Sequence, residues 1–218
     1  MKILDVELVT SASVAGPRDG LVRDDIPQFA FAGRSNVGKS SLLNALTRRK
    51  VARTSAAAGK TRQANIYRVS VEGGAGGPGT WTTYLVDLPG YGYARGGDES
   101  ARELAAVVDA YFAAGQRPRP VPGSAASTRR GAIFLLVDSR HPGLPSDVEA
   151  FNWIAATALP PIVVATKIDK LSRSERARHL REIERTYGQT PVAVSSARGE
   201  GIDELWRMMA VVARGVER

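Results

Sequence analysis

The stretch Phe29-Ala30-Phe31-Ala32-Gly33-Arg34-Ser35-Asn36-Val37-Gly38-Lys39-Ser40-Ser41-Leu42-Leu43-Asn44-Ala45-Leu46 decides how this chain is read. Its centre, Gly33 to Ser40, fits G-x-x-x-x-G-K-[ST] between a short apolar run and a helix-like run, the strand–loop–helix context of a phosphate loop. Gly33 and Gly38 let the backbone turn tightly, so successive N–H groups converge on phosphate oxygens. The following helix adds the positive end of its dipole. On this pattern Lys39 reaches the β- and γ-phosphates of a nucleoside triphosphate, and the Ser40 hydroxyl is a ligand for Mg²⁺. Arg34, Ser35, Asn36, Val37 and Ser41 complete the candidate phosphate-binding set.

The 218 residues suit one large α/β domain with a substantial core, and the 43% hydrophobic and 24% charged content is that of an ordinary globular protein. No apolar run is long enough to span a bilayer, and acids occupy the N-terminus where a signal peptide needs its apolar segment. A cytoplasmic location without membrane attachment is expected. The lack of cysteine excludes disulfides, thiolate metal sites and cysteine catalysis. A net charge of +8 favours a polyanionic partner such as RNA.

Outward from the loop, strand and helix patterns alternate. Residues 1–27 read as an N-terminal arm or edge strand, with weak alternation from Ile3 to Val9. Val51 to Gln63 has no periodicity and reads as a mobile loop. Asn65 to Glu72 and Trp81 to Val86 alternate around the glycine-rich turn Gly73 to Gly79, which predicts a hairpin and hence an antiparallel edge. Asp98 to Phe112 has the spacing of an amphipathic helix. Residues 116–130, rich in Pro, Ser, Gly and Arg, read as a flexible inserted loop.

Ala132 to Val137, Pro161 to Ala165 and Pro191 to Val194 predict buried strands. Ser146-Asp147-Val148-Glu149 and Ser172-Arg173-Ser174-Glu175 have capping-box spacing at helix starts. Ile202, Leu205, Trp206 and Met209 mark a final amphipathic helix. With no repeat and no linker, residues 1–218 are expected to form a single domain built on a doubly wound sheet, with ligands at the carboxyl ends of its strands.

The remaining motifs fall at such strand ends. Asp87 of Asp87-Leu88-Pro89-Gly90 can hold Mg²⁺ through water, and the Gly90 N–H can approach a γ-phosphate. In Thr166-Lys167-Ile168-Asp169, the Asp169 carboxylate can accept the N1–H and 2-amino donors of guanine, which adenine lacks. The Lys167 stem can pack along the base. The turn Ser195-Ser196-Ala197 can offer a backbone N–H to the guanine oxygen. Within the loop before the hairpin, Thr61 is the candidate to close on Mg²⁺ and γ-phosphate, with Thr54 and Ser55 as rivals.

These residues together resemble the EngB (YihA/YsxC) family of bacterial GTP-binding proteins. The likeness is carried by Gly33 to Ser40, Gly59-Lys60-Thr61, Asp87-Leu88-Pro89-Gly90-Tyr91-Gly92-Tyr93-Ala94, Thr166 to Lys170 and Ser195-Ser196. Asp138-Ser139-Arg140-His141-Pro142 strengthens it, and it spans roughly Phe29 to Ala213. The resemblance implies the P-loop GTPase fold: α/β, three layers α/β/α, with a mostly parallel six-stranded sheet carrying one antiparallel edge strand. It implies GTP and GDP as ligands with Mg²⁺ as cofactor, Gly59 and Thr61 within the site, and a monomer. It also implies a part in assembling the large ribosomal subunit on its precursor and rRNA, and an older link to division septum formation. The glycine extension at Gly73 to Gly79 and the segment 116–130 depart from the family pattern without interrupting a nucleotide motif.

Two positions bear on rate. Many GTPases place a water-orienting Gln just after the D-x-x-G glycine. Here that residue is Tyr91, whose phenol cannot both accept from and donate to water as an amide does, so slow hydrolysis is expected. Asn36 matches the position that coordinates potassium in related GTPases, which makes K⁺ a second candidate cofactor. The catalytic set is thus Lys39, Thr61, Gly90 and Asn36. The rival from another class is a basic RNA-binding assembly module in which nucleotide is only structural, and a P-loop kinase ranks last.

Overall fold

The computed structural model describes residues 1–13, 26–52, 63–73, 79–91, 131–156 and 161–214. Its elements run β1 (Lys2–Ser13), β2 (Gln28–Gly33), α1 (Lys39–Thr47), β3 (Gln63–Glu72), β4 (Thr80–Asp87) and β5 (Gly131–Asp138). They continue with α2 (Pro145–Ala155), β6 (Pro161–Thr166), α3 (Arg173–Tyr187), β7 (Val192–Ala193) and α4 (Ile202–Arg214). The loop 53–62 with Thr54, Ser55, Gly59 and Thr61, most of the glycine-rich turn, Tyr93, the segment 98–112 and the segment 116–130 lie outside the described residues.

The strands β2 and β5 are buried at every position because helices cover both faces. Side chains alternate along β2. Phe29 and Phe31 join a core layer with Leu42, Leu46 and Trp206, whereas Ala30 and Ala32 join one with Ile154 and Ile183. The first layer lies under α1 and α4, the second under α2 and α3, which gives three layers. Phe31 stacks on Phe134 with ring centroids 5.1 Å apart. The Trp206 indole N–H donates to Leu46 O at 3.2 Å, joining α4 to α1.

The sheet is seven-stranded in the order β1-β3-β4-β2-β5-β6-β7. Strands β4, β2, β5, β6 and β7 are mutually parallel, and β3 runs antiparallel to both neighbours. The predicted hairpin is present, but the six-strand expectation needs correction, since β3 is not the edge. The first strand pairs with it from Lys2 to Ser13, satisfying a row of backbone groups that would otherwise face outward. Register shifts between Ile3 and Asp5 and between Leu8 and Thr10 interrupt the ladder, and such bulges discourage further strand addition.

Just past α1, the Arg49 guanidinium bonds Leu4 O at 3.2 Å and Asp5 at 3.3 Å, tethering β1. Arg48 takes the left-handed conformation (φ 53°) that ends the helix. The capping box forms at Ser172 and Glu175 but not at Ser146. The helix α2 starts at Pro145, two residues earlier than a Ser146 cap would place it, and Asp147 turns inward, fully buried.

Parallel pairing brings the carboxyl ends of the central strands to one rim. Phe31 lies opposite Asp87, Gly33 opposite Leu136, and Asp138 opposite Thr166. The antiparallel β3 begins at this rim, with Asn65 opposite Asp87.

Candidate functional site

The loop between β2 and α1 is held by constraints that its glycines alone can meet. A Cβ at Gly33 would lie 2.8 Å from Val37 Cγ1 and 3.1 Å from Leu136 Cβ, so any side chain would force the loop off the sheet. Gly38 has φ 109°, and its carbonyl accepts the Leu42 N–H at 2.9 Å, beginning α1. Asn36 also has positive φ (64°), a conformation that asparagine tolerates better than most residues. Its side chain is exposed, and its carbonyl accepts the Lys167 ammonium at 2.5 Å.

Lys39 and Asp87 form a direct ion pair, with side chains only 10% and 6% exposed. Phosphate and a cation entering here would each take over half of an existing charge match, so the site needs no new buried charge. Ser40, half-buried, sits one residue beyond Lys39 in the first turn of α1. Hydroxyl and carboxylate are hard oxygen donors, suited to Mg²⁺, which commonly takes one or two protein ligands and completes its shell with phosphate and water. Among the described residues no cluster of three acidic or histidine ligands forms a self-sufficient metal cage.

Gly90 is packed on the phosphate loop, where an added Cβ would lie 3.2 Å from Ser35 Oγ and 3.3 Å from Ser35 N. The next residue accepts the Ser35 N–H at its carbonyl, at 3.0 Å. The Tyr91 side chain points away from the loop. It is 3% exposed, and its hydroxyl donates to Asp147 Oδ1 at 2.9 Å. Burial, and then the Asp147 charge, push its pKa well above the ordinary phenol value. Tyr91 is therefore committed to the interior, a stronger reason against its orienting water than the chemistry of phenol.

On the other side of the loop, the Thr166 hydroxyl lies 2.8 Å from Val37 O and 3.1 Å from Val137 O, tying β6 to the loop. Lys167, with φ 59°, bonds Asp138 Oδ2 at 2.9 Å as well as Asn36 O. Asp138 is fully buried and also receives Arg140 at both oxygens, at 3.0 and 2.8 Å, with Arg34 3.5 Å away. Burial opposes its ionisation, but the hydrogen bonds from Arg140 and Lys167 prevail and hold its carboxyl well below the usual range.

Asp169 accepts the Ser195 hydroxyl at 2.7 Å, which lowers its pKa and keeps an acceptor carboxylate in place. The Ser195 N–H itself donates to Glu200 O at 3.0 Å. Ser195 thus holds Asp169 with its hydroxyl while its N–H is engaged within the turn, which leaves Ser196 and Ala197 as the candidate N–H groups there.

The structure accordingly gathers Gly33 to Ser41, Asp87, Gly90, Thr166, Lys167, Asp169 and Ser195 to Ala197 along one rim. Gly59 and Thr61 lie outside the described residues. Nothing in the sequence reading gave Asp138 and Arg140 a role in the site, and Asp147 entered it only as an inner position of the Ser146 to Glu149 capping-box pattern. The available signal for Asp138 was its place: like Asp87, it is a carboxylate at the end of a strand, here a wholly apolar one.

Comparison with known proteins identifies the family. A family model described as "50S ribosome-binding GTPase" matches residues 28–167. A probable GTP-binding protein EngB of Lachnoclostridium phytofermentans is 35% identical over 209 residues, covering 94% of this chain and 93% of that protein. One from Thermotoga maritima is 38% identical over 220 residues, covering 98% and 99%. Among solved structures, Aquifex aeolicus Era bound to GDP and AlF4⁻ superposes with TM-score 0.63 at 24% identity, over 85% of this chain and 56% of that one. A probable GTP-binding protein engB gives 0.58 at 22% identity, over 86% and 98%. At these identities the two structures attest the fold alone.

The buried Asp138 cluster sets a pH dependence. Its native pKa lies below the unfolded value of about 3.9, so its contribution is complete above about pH 4 and is lost as pH falls through the depressed native value. Replacing Asp138 by Asn should cost about 3 kcal/mol at pH 7, the low end for breaking a buried pair, because the cations can regain water. Urea unfolding across pH 2–7 checks this: the gap between parent and variant should narrow towards acid, and a constant gap would show that the charge is not responsible.

Proposed function

The chain belongs to the EngB family of GTP-binding proteins and carries a GTPase domain, and we propose that it is a slowly hydrolysing GTP switch in assembly of the large ribosomal subunit. The observation that carries this reading is the meeting, on one rim, of a phosphate loop, the Lys39–Asp87 pair and the Asp169 carboxylate. Lys39 and the loop N–H groups would receive the β- and γ-phosphates. Asp169 would accept the two guanine donors while the Ser195 hydroxyl, donating to its Oδ1, holds the carboxylate in place. Ser40, Thr61 and, through water, Asp87 would hold Mg²⁺, which neutralises charge on the β- and γ-phosphate oxygens when bound. Thr61 and Gly90 would sense the γ-phosphate.

Two features support the finer parts of the reading. The Tyr91 hydroxyl is engaged with buried Asp147, so the position that often orients water offers no polar group to it, in keeping with a low intrinsic rate. On α3, the exposed side chains of Arg178, Arg181 and Arg185 recur at helical spacing along the solvent crest, opposite buried Ile183 and Tyr187. That crest and the +8 charge suit an RNA phosphate backbone. The description of the matching family, a 50S ribosome-binding GTPase, points to the same partner. No helix among the described residues is long and apolar enough to cross a membrane.

Three measurements test the proposal. Replacing Asp169 by Asn should weaken GTP binding roughly 30- to 150-fold, the equivalent of about 2–3 kcal/mol for guanine donors left without their carboxylate, and tight ATP binding by the parent would refute the assignment of the base. Sedimentation with ribosomal subunits should carry the protein into the large-subunit fraction with GTP and release it with GDP. Binding that ignores the nucleotide would instead favour a plain RNA-binding module. Turnover should be faster in potassium than in sodium buffer and lose that difference in Asn36→Ala. Equal rates in both buffers would reduce Asn36 to its backbone role at positive φ.

A further inference from the structure

Asp147 is a fully buried carboxylate on α2, a helix that supplies none of the nucleotide motifs. Its Oδ1 accepts the Tyr91 hydroxyl at 2.9 Å, and its Oδ2 lies 3.9 Å from Arg34 Nε. Among the described residues neither Oδ2 nor Nε has a hydrogen-bond partner. Burial raises the Asp147 pKa, and the Tyr91 hydrogen bond and the Arg34 charge only partly offset it. Such a group costs stability where an apolar residue would not, so its placement calls for a use.

Both groups it faces belong to nucleotide segments. Arg34 lies in the phosphate loop, and Tyr91 directly follows Gly90. Tyr91 is also bound on its other side, where its carbonyl accepts the Ser35 N–H at 3.0 Å. Gly90, one residue earlier, is packed within about a hydrogen-bond length of Ser35, as the 3.2 Å and 3.3 Å approaches of a built Cβ show. The height of Gly90 over the phosphate loop is therefore set by two anchors. One is a backbone bond to the loop; the other is the phenol bond into α2.

We infer that Asp147 is a positioning residue that, through Tyr91, presets Gly90 against the phosphate loop and thereby favours GTP over GDP. This rests on the reading that the site binds guanine nucleotides and that Gly90 meets the γ-phosphate. GDP has no group that reaches Gly90, so its affinity is indifferent to where Gly90 stands. GTP needs Gly90 in place, and without the anchor it must order that residue on binding. Ordering the backbone of one residue corresponds to roughly 5- to 30-fold in an equilibrium constant.

The test measures the affinities of the full chain for a non-hydrolysable GTP analogue and for GDP, with Mg²⁺, in Tyr91→Phe, Asp147→Ala and Asp147→Asn. Tyr91→Phe removes a single oxygen and keeps the packing, so it carries the test should Asp147→Ala fail to fold. Tyr91→Phe and Asp147→Ala should bind the GTP analogue roughly tenfold more weakly, with GDP affinity within about twofold of the parent. Asp147→Asn, whose amide oxygen still accepts the phenol, should restore most of the preference. Equal losses for both nucleotides, or an unchanged ratio in Tyr91→Phe, would reduce Asp147 to a structural role and leave the proposed function standing. A parent that binds neither nucleotide would overturn both.

Discussion

The buried carboxylate of Asp138 is the interaction on which the rim of this protein depends. Three cations from separate segments converge on it: Arg140 from the turn after its own strand, Lys167 from the end of β6, and Arg34 from the phosphate loop. Without the carboxylate these charges would repel one another within a few ångströms. With it, they hold the phosphate loop and the segment that follows β6 in one frame. Lys167 then extends the frame by a second bond to Asn36 O, so the loop backbone is held from the side as well as from below.

A second carboxylate, Asp147, lies near Asp138 but meets the opposite environment. Asp138 gains enough donors to overcome burial, whereas Asp147 has one hydroxyl and a distant guanidinium and is pushed towards its neutral form. The two carboxylates hold different parts of the rim. Asp138 gathers Arg140, Lys167 and Arg34 beside the phosphate loop. Asp147 takes the hydroxyl of Tyr91, the residue after Gly90, which packs on Ser35.

Much of this was legible in the sequence because the governing physics is local. A phosphate loop needs glycines at fixed spacing, a buried parallel strand needs a continuous apolar run, and an amphipathic helix needs its 3.6-residue period. Gly33, Gly38, the run from Ala132 to Val137 and the face Ile202, Leu205, Trp206, Met209 each carry their reason within a dozen residues. The seventh strand was less legible. Its alternation is weak because the edge is half exposed, and its pairing is fixed by the needs of β3, some sixty residues away. The start of α2 was misread for a related cause: Ser146 to Glu149 has the spacing of a capping box, but the helix has already begun at Pro145.

The sequence by itself determined that a phosphate loop lies between a strand and a helix, that two carboxylates, Asp87 and Asp169, end or follow buried strands downstream, and that the chain resembles the EngB family. Only the tertiary structure decided what those groups are bonded to. It turned Ser195 from a candidate base ligand into the support of Asp169, turned Tyr91 into the interior, and made Asp138 a hub. The reason is physical. Which side chains meet across a sheet depends on strand order and register, and those are settled by burying apolar surface over the whole chain, not by the few residues on either side of a motif.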